Sequence, residues 1–351
     1  MSSIENYLHE TPEKMSEILT GAKDLFATVK NVDLKKIVIT GSGTSYHAGL
    51  QMAPLLREVM NVEVISLYPF MVTKETFLND SDKTLVIGIS QGGSSYSTYT
   101  AMRTAKEAGC ITASMAGSEG AYIDEQADYV LTVHCGEELA GAKTKGYYCT
   151  KLNLLLFGIY WGLEHGKINQ DAFDSKVDEV KDSIDHFEDV YAAGEKWIDE
   201  NLDTLKNTND IRITGPESLY GDTLESALKL LETLRCPVTG YEFEEFIHGI
   251  YNAVNENSTV FILDNGEEKR TQKMKEVLSE WSSNIFIISN KQVDYADLYV
   301  PTTQHEGMET FNFIIPLQLM CSKVPHALGY DPSKPKDPEF HMKLGSKKFN
   351  K

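Results

Sequence analysis

The chain has 351 residues, with 52 Asp+Glu against 33 Lys+Arg, a formal net charge of −19, 41% apolar residues and 10% aromatics. That apolar content excludes a disordered chain, and the length suits two domains, or about three at roughly 100–200 residues each. The acidic surface repels polyphosphates and anionic headgroups, which excludes nucleic acid and membrane as expected partners and leaves small molecules or other protein chains.

The opening segment, MSSIENYLHETPEKM, lacks the basic start and apolar run of a signal peptide. The five cysteines, Cys110, Cys135, Cys149, Cys236 and Cys321, form no C-x-x-C pair. An odd count without a framework fits a reducing compartment, so a cytoplasmic protein is expected. No H-x-x-x-H spacing occurs among the nine histidines, and no metal site is expected. The longest apolar run, Leu152 to Leu163, falls short of the ~20 residues a spanning helix needs and reads as a buried core helix.

Two stretches, KIVITGSGTSYHAG from Lys36 and TLVIGISQGGSSYS from Thr84, are β-branched runs that pass into Gly/Ser turns and then helical periodicity. That is the signature of βαβ units in a parallel sheet. The second half repeats the layout: Gly215 and Gly266 lie 174 positions beyond Gly41 and Gly92, and ADLYVPT at Ala296 follows ADYVLTV at Ala127 at nearly the same offset. Three motifs in one order predict two copies of a doubly wound, three-layer α/β/α domain. Between them, residues 171–210 hold 13 acidic residues and 4 lysines, and read as a solvated helical connector. The expected boundaries are an N-terminal helix over 1–28, a first domain over 29–168, the connector over 169–205, a second domain over 206–330 and a tail over 331–351.

In open α/β sheets ligands bind at the carboxyl ends of the strands, where both first-copy loops fall. GSGTSYHAG is neither a dinucleotide fingerprint, because Tyr46 stands where the third glycine belongs, nor a Walker loop. It offers Ser42, Gly43, Thr44 and Ser45 at the entry of a helix, while the second loop offers Ser90, Gln91, Gly93, Ser94 and Ser95. Hydroxyls, an amide and backbone N–H groups suit a single phosphate without an arginine. Such residues also cap helices, but two loops at equivalent strand ends favour the phosphate site. The second-copy counterparts, GPESLYGD and LDNGEEKR, have lost that chemistry for charge.

In GDTLESALKLLETLR, Glu225, Lys229 and Glu232 share one helical face, with Leu224, Leu228 and Leu231 as the apolar stripe beside them. An exposed Glu–Lys pair worth a few tenths of a kcal/mol and a functional pair are equally open readings. His248, before a glycine in YEFEEFIHGI, is either a capping or core residue or a titrating partner for a carboxylate. A monophosphate cradle, a carboxylate–amine face and a histidine are suited to moving protons on a sugar phosphate.

These residues resemble the double sugar-isomerase (SIS) domain family, as in the isomerase half of glucosamine-6-phosphate synthase. TGSGTSYHAG is similar to the family's C-G-T-S-Y-H-A-G, GISQGGSS to I-S-Q-S-G-E-T, ELAGAKTK to E-I-G-V-A-S-T-K, LESALKLLE to L-E-G-A-L-K-L-K-E and EEFIHG to G-E-L-K-H-G. The resemblance implies that Gly43, Thr44, Ser45, Ser90, Gln91, Gly93 and Ser95 hold a phosphate. It implies that Glu232 shuttles a proton between C1 and C2, that His248 from a neighbouring subunit helps ring opening, and that Glu225, Lys229 and Lys143 support the pocket. A sugar-phosphate substrate, no cofactor and a homodimer or larger homo-oligomer follow from it. Departures fall at Gly92, Ser94, Lys143 and Ile250, and the family's C-terminal lysine has no clean counterpart, with Lys343, Lys347 and Lys348 as the open alternatives. No glutaminase segment leads the module here. The expected reaction is therefore hydrolysis of a 6-phosphorylated ketosamine, with aldose–ketose isomerisation or amino-sugar-phosphate deamination as alternatives and a non-catalytic sensor behind them.

Overall fold

A computed structural model describes residues 3–347. The chain divides into two compact units. One comprises Glu10–Glu138, Lys145–Lys181 and Lys336–Lys351, and the other comprises Met1–His9, Leu139–Thr144 and Asp182–Pro335. The first helix, α1, spans Ser3–Leu25 and buries Ile4, Leu8, Met15, Ile18 and Ala22.

The first unit is built on a parallel sheet of β1 (Lys36–Thr40), β2 (Glu63–Leu67), β3 (Thr84–Ile89), β4 (Ile111–Met115) and β5 (Tyr129–Val130), in the order β2-β1-β3-β4-β5. Val38 of β1 pairs with Val86 of β3, and every residue of β3 is buried. Burial on both faces explains why β1 and β3 read as continuous apolar runs and not as an alternation. Helices α2 (Thr44–Met60), α3 (Tyr96–Glu107) and α4 (Lys145–Glu164) flank the sheet. The expected core helix is α4, buried almost throughout from Lys145 to Gly162. Its approach to α2 depends on missing side chains: a Cβ on Gly158 would stand 2.5 Å from Leu56 Cδ2, and one on Gly162 would stand 2.4 Å from the Val59 carbonyl oxygen. No helix of the described residues is long and apolar enough to cross a membrane.

Helix α5 (Gln170–Asp185) follows, and α6 (Phe187–Leu205) belongs to the second unit. The stretch expected as a solvated connector is thus only partly so. Phe187, Val190, Tyr191, Gly194, Trp197, Ile198 and Leu205 line a buried face of α6, while Glu188, Asp189, Asp199 and Glu200 point outward. Charge counting alone hides that amphipathic stripe.

The second sheet comprises β6 (Ile211–Gly215), β7 (Val238–Glu242), β8 (Thr259–Asp264), β9 (Asn284–Ser289) and β10 (Leu298–Tyr299), in the order β10-β9-β8-β6-β7. Read from its other end, this is the order of the first sheet, so the repeat seen in the sequence is a repeat of topology. The helices are α7 (Tyr220–Leu234), α8 (Phe243–Ile247), α9 (Thr271–Leu278) and α10 (Ile315–Ala327). α10 packs on both α6 and α7, and a Cβ on Gly194 of α6 would stand 2.9 Å from Pro316 Cγ. A short α11 (Phe340–Leu344) lies in the tail of the first unit.

Candidate functional site

In the first sheet the strand order reverses between β1 and β3, and the turns after these two strands carry the hydroxyls that the sequence offers for a phosphate cradle. Gly43 opens α2 at φ 55°, a left-handed backbone that Cβ-bearing residues rarely adopt. Gly93 has φ 69°, and a Cβ there would meet the Ala121 Cβ at 2.5 Å. Both glycines are therefore required by the turns they occupy.

The hydroxyls of the two turns form one chain. Ser95 caps α3 by accepting from the Thr98 amide at 3.3 Å, and its Oγ stands 3.1 Å from Ser97 Oγ and 3.1 Å from Thr98 Oγ1. Ser97 Oγ in turn stands 3.5 Å from Ser42 Oγ of the other turn. Ser90 is buried, and its Oγ accepts from the Ser95 amide at 3.4 Å. Thr44 and Ser45 lie half-buried in the first turn of α2. Ser97 was missed in the sequence because it sits inside α3, beyond the Gly/Ser loop. Its spacing of two from Ser95 was the available signal.

Gln91 departs from its expected place among these hydroxyls. Its Nε2 donates to Glu138 Oε2 at 3.3 Å and approaches Cys135 Sγ at 3.6 Å, while its Oε1 is buried without a partner. Glu138, itself 4% exposed, accepts from the Lys145 and Gly146 amides at the start of α4, at 3.1 and 3.0 Å. A carboxylate is favoured at a helix N-terminus, so Gln91 is drawn inward to it and braces the turn from behind.

The tail of the same unit reaches the cradle. Lys347 forms an isolated antiparallel bridge with Ser95, and the Tyr96 amide donates to the Ser346 carbonyl at 3.5 Å. Lys343 is instead paired with Asp337 at 2.8 Å and Glu339 at 3.4 Å. Lys348 lies outside the described residues.

In the second unit, α7 follows β6 as α2 follows β1. Its buried face is polar: Asp222, Thr223, Glu225, Ser226, Lys229 and Thr233 are all 2% exposed or less. The expected apolar stripe is the outer side, with Leu231 43% exposed and Leu224 and Leu228 half-buried. Burying such a face is tolerable only because its groups are paired. Ser226 Oγ donates to the Asp222 carbonyl and Thr233 Oγ1 to the Lys229 carbonyl, each at 2.8 Å, while Thr310 Oγ1 donates to Asp222 Oδ2 at 2.6 Å. Lys229 Nζ donates to Glu232 Oε2 at 2.6 Å and stands 3.8 Å from Glu225 Oε1. The exposed-pair reading of Glu225 and Lys229 is therefore overturned. Burial pushes the Lys229 ammonium down, but Glu225 and Glu232 outweigh it and hold it above the usual lysine range. Glu232 is the partly open member, 36% exposed, and so is the carboxylate of the three able to meet a substrate.

His248 ends α8 in the exposed part of the second unit. Its Nδ1 lies 2.8 Å from the Glu244 carbonyl, so Nδ1 carries the proton and Nε2 is left as the acceptor. His248 and Glu232 share no hydrogen bond or ion pair within the chain. Lys143 is half-buried in the Leu139–Thr144 segment of the second unit. Among the described residues no group of three or more His, Cys, Asp and Glu side chains is placed to hold a metal ion.

The chain is similar to known proteins over most of its length. The SIS domain model matches residues 32–159, which holds both hydroxyl turns. A candidate phosphosugar isomerase of Clostridium difficile 630 is 54% identical in sequence and superposes with a TM-score of 0.96 over 100% of both chains. A candidate sugar-binding protein of Salmonella typhimurium LT2 is 40% identical with a TM-score of 0.83, over 91% of this chain and 98% of that one. The glutamine–fructose-6-phosphate aminotransferase (isomerizing) of Aquifex aeolicus is 27% identical over 94% of this chain, which spans only 56% of that relative's length. With duplicated sheets of one strand order, the family's motifs at their strand ends and a 54%-identical relative aligned from end to end, the chain belongs to the SIS-domain family.

Proposed function

We propose that this SIS protein is a phosphosugar enzyme that hydrolyses a 6-phosphorylated ketosamine to an aldose 6-phosphate and a free amine or amino acid. The observation that carries the reading is the Lys229–Glu232 pair, which fixes a partly open carboxylate in a family whose strand-end hydroxyls suit a phosphate. The hydroxyl chain through Ser42, Ser95 and Ser97, with Thr44, Ser45 and Ser90, retains the phosphate. Glu232 takes a proton from C1 of the open-chain substrate, whose electron pair moves to form the C1–C2 double bond of an enaminol as O2 is protonated. The proton returns to C2, the C1–N bond becomes an iminium, and water releases the amine. His248 Nε2 accepts the ring hydroxyl proton during opening. Its exposure fits a role across a subunit boundary and supports a homodimer.

Around His248, Glu242 caps α8, Glu244 is ion-paired with Arg270, and Glu245 is exposed. A second reading, aldose–ketose isomerisation, draws support from the phosphosugar-isomerase name of the Clostridium difficile relative. The experiment offers a panel of ketosamine 6-phosphates and follows aldose 6-phosphate release with a coupled dehydrogenase. Release from at least one member is expected. Silence across the panel, with brisk isomerisation of hexose 6-phosphates, would replace the first reading with the second.

A further inference from the structure

The second unit lacks the hydroxyl turns of the first, yet the carboxyl edge of its sheet carries a cavity of its own. This cavity, ≈ 390 Å³, lies beyond the ends of β9 and β10 and is lined in part by His186, Asn290, Lys291, Gln292 and Tyr299. The volume falls in the range of small-molecule sites, about 300–1,000 Å³. We infer that it is an accessory binding site for a hydroxylated monophosphate of hexose-phosphate size, separate from the cradle of the first unit.

The lining sets the ligand chemistry. Lys291 supplies the cation: its ammonium makes no ion pair or hydrogen bond among the described residues, although the chain carries 52 carboxylates. Its stem crosses the turn after β8, where a Cβ on Gly266 would come 3.1 Å from Lys291 Cε. Gly266 is the counterpart of Gly92, so an ammonium lies along the turn that in the first copy bears the serines. Asn290 and His186 supply acceptors. Asn290 is 4% exposed, its Nδ2 donates to Thr302 Oγ1 at 3.1 Å, and its carbonyl oxygen is buried without a partner. Asn290 lines the cavity, and an unpaired buried acceptor costs about 1–3 kcal/mol, which a ligand hydroxyl relieves once a small side-chain shift turns that oxygen toward the cavity. His186 Nδ1 donates to the Asp182 carbonyl at 2.8 Å and stands 3.6 Å from the Asp182 carboxylate, which itself accepts from Thr303 Oγ1, and His186 Nε2 is left as a second acceptor. One cation and two acceptors complement an anion that also carries hydroxyls, and neither a neutral sugar nor bare phosphate satisfies all three.

Equilibrium dialysis with radiolabelled glucose 6-phosphate tests the assignment. The wild-type chain is expected to bind two equivalents, and Lys291→Ala one. A cradle variant, Ser45→Ala with Ser95→Ala, keeps one equivalent, and adding Lys291→Ala to it weakens that binding about tenfold or more. Loss of all binding in the cradle variant, or retained binding indifferent to Lys291→Ala, would overturn the site. Displacement of the retained ligand by inorganic phosphate or glucose as readily as by glucose 6-phosphate would overturn its ligand class. Failure of the cradle reading leaves a distinct trace: one equivalent in the wild type, lost with Lys291→Ala alone.

Discussion

Helices α2 and α7 hold the same place in two sheets of one topology, each following the strand beside the reversal in strand order, and they spend their residues in opposite ways. α2 presents hydroxyls at its first turn and then buries an ordinary apolar face through Ala48, Met52, Leu56 and Val59. α7 buries charge along its length beside Leu230, and turns Leu224, Leu228 and Leu231 toward its outer side. The two copies thus keep one scaffold and differ at their strand ends, one carrying a chain of hydroxyls and the other a buried ion pair. A helix can serve a site through its end, where amides and hydroxyls gather, or through its side, where burial tunes an ion pair.

The largest effect expected from this contrast is on turnover. Glu232→Gln removes the proposed proton carrier from α7 but leaves the first-unit hydroxyls untouched. Ketosamine turnover should fall about 10²–10⁴-fold while sugar-phosphate affinity holds, read from kcat and from dialysis on the same variant. Full turnover in this variant would break the division between a holding helix and a reacting one.

Next in size is a stability effect. Lys229→Met strips the counter-charge from Glu225, which is 0% exposed, and should cost about 3–5 kcal/mol in urea unfolding at neutral pH. Because the folded Lys229 is held above its ordinary value, its contribution is fully present below the unfolded lysine range near 10.4 and fades as pH rises through the folded value. On the alkaline side the gap between wild type and variant should therefore persist past the ordinary lysine range and narrow in strong alkali. A conservative surface substitution such as Leu231→Gln, on the outer side of the same helix, should change stability by no more than about 0.5 kcal/mol.

The smallest effect probes the charged turn of the second copy. Burial pushes the Glu309 carboxyl up, although Asn265 Nδ2 donates to it at 3.1 Å. A raised carboxylate destabilises the fold once it must ionise, so Glu309→Gln should raise Tm slightly at neutral pH. The gain should vanish on acidification below the ordinary carboxylate range near 4.3, where wild-type Glu309 is already neutral. An unchanged Tm at both pH values would mean that this carboxyl is solvated as freely as those on the surface of the first unit.

The parallel strands and their repetition were legible because burial on both faces of a sheet imposes β-branched runs, as in Ile37–Ile39 and Leu85–Ile87, and a strand followed by a glycine turn is a local pattern. The hydroxyls of the cradle were legible for the same reason, up to Ser95. Ser97 was not, because its proximity to Ser42 is a contact between two turns 55 residues apart. The inversion of α7 was hidden by hydrophobic periodicity itself: Leu224, Leu228 and Leu231 announce an inner face, and only the partners on α10 and within the helix reveal that the charged side goes in. Gln91 read as a ligand group because its buried partner, Glu138, lies 47 residues away. The bridge from Lys347 to Ser95 leaves no pattern at all, being a single pairing.

The glycines of α4 give the cradle a dependence on a distant fulcrum. α2 rests on Gly158 and Gly162 near its C-terminal end, and its hydroxyl-bearing turn lies about 22 Å further along the same helix, past Pro54. A methyl group at either glycine would act as a wedge under a lever, and a small tilt there would be magnified at Thr44 and Ser45. Substitutions that alter phosphate affinity should therefore turn up in α4, far from any atom that touches a ligand.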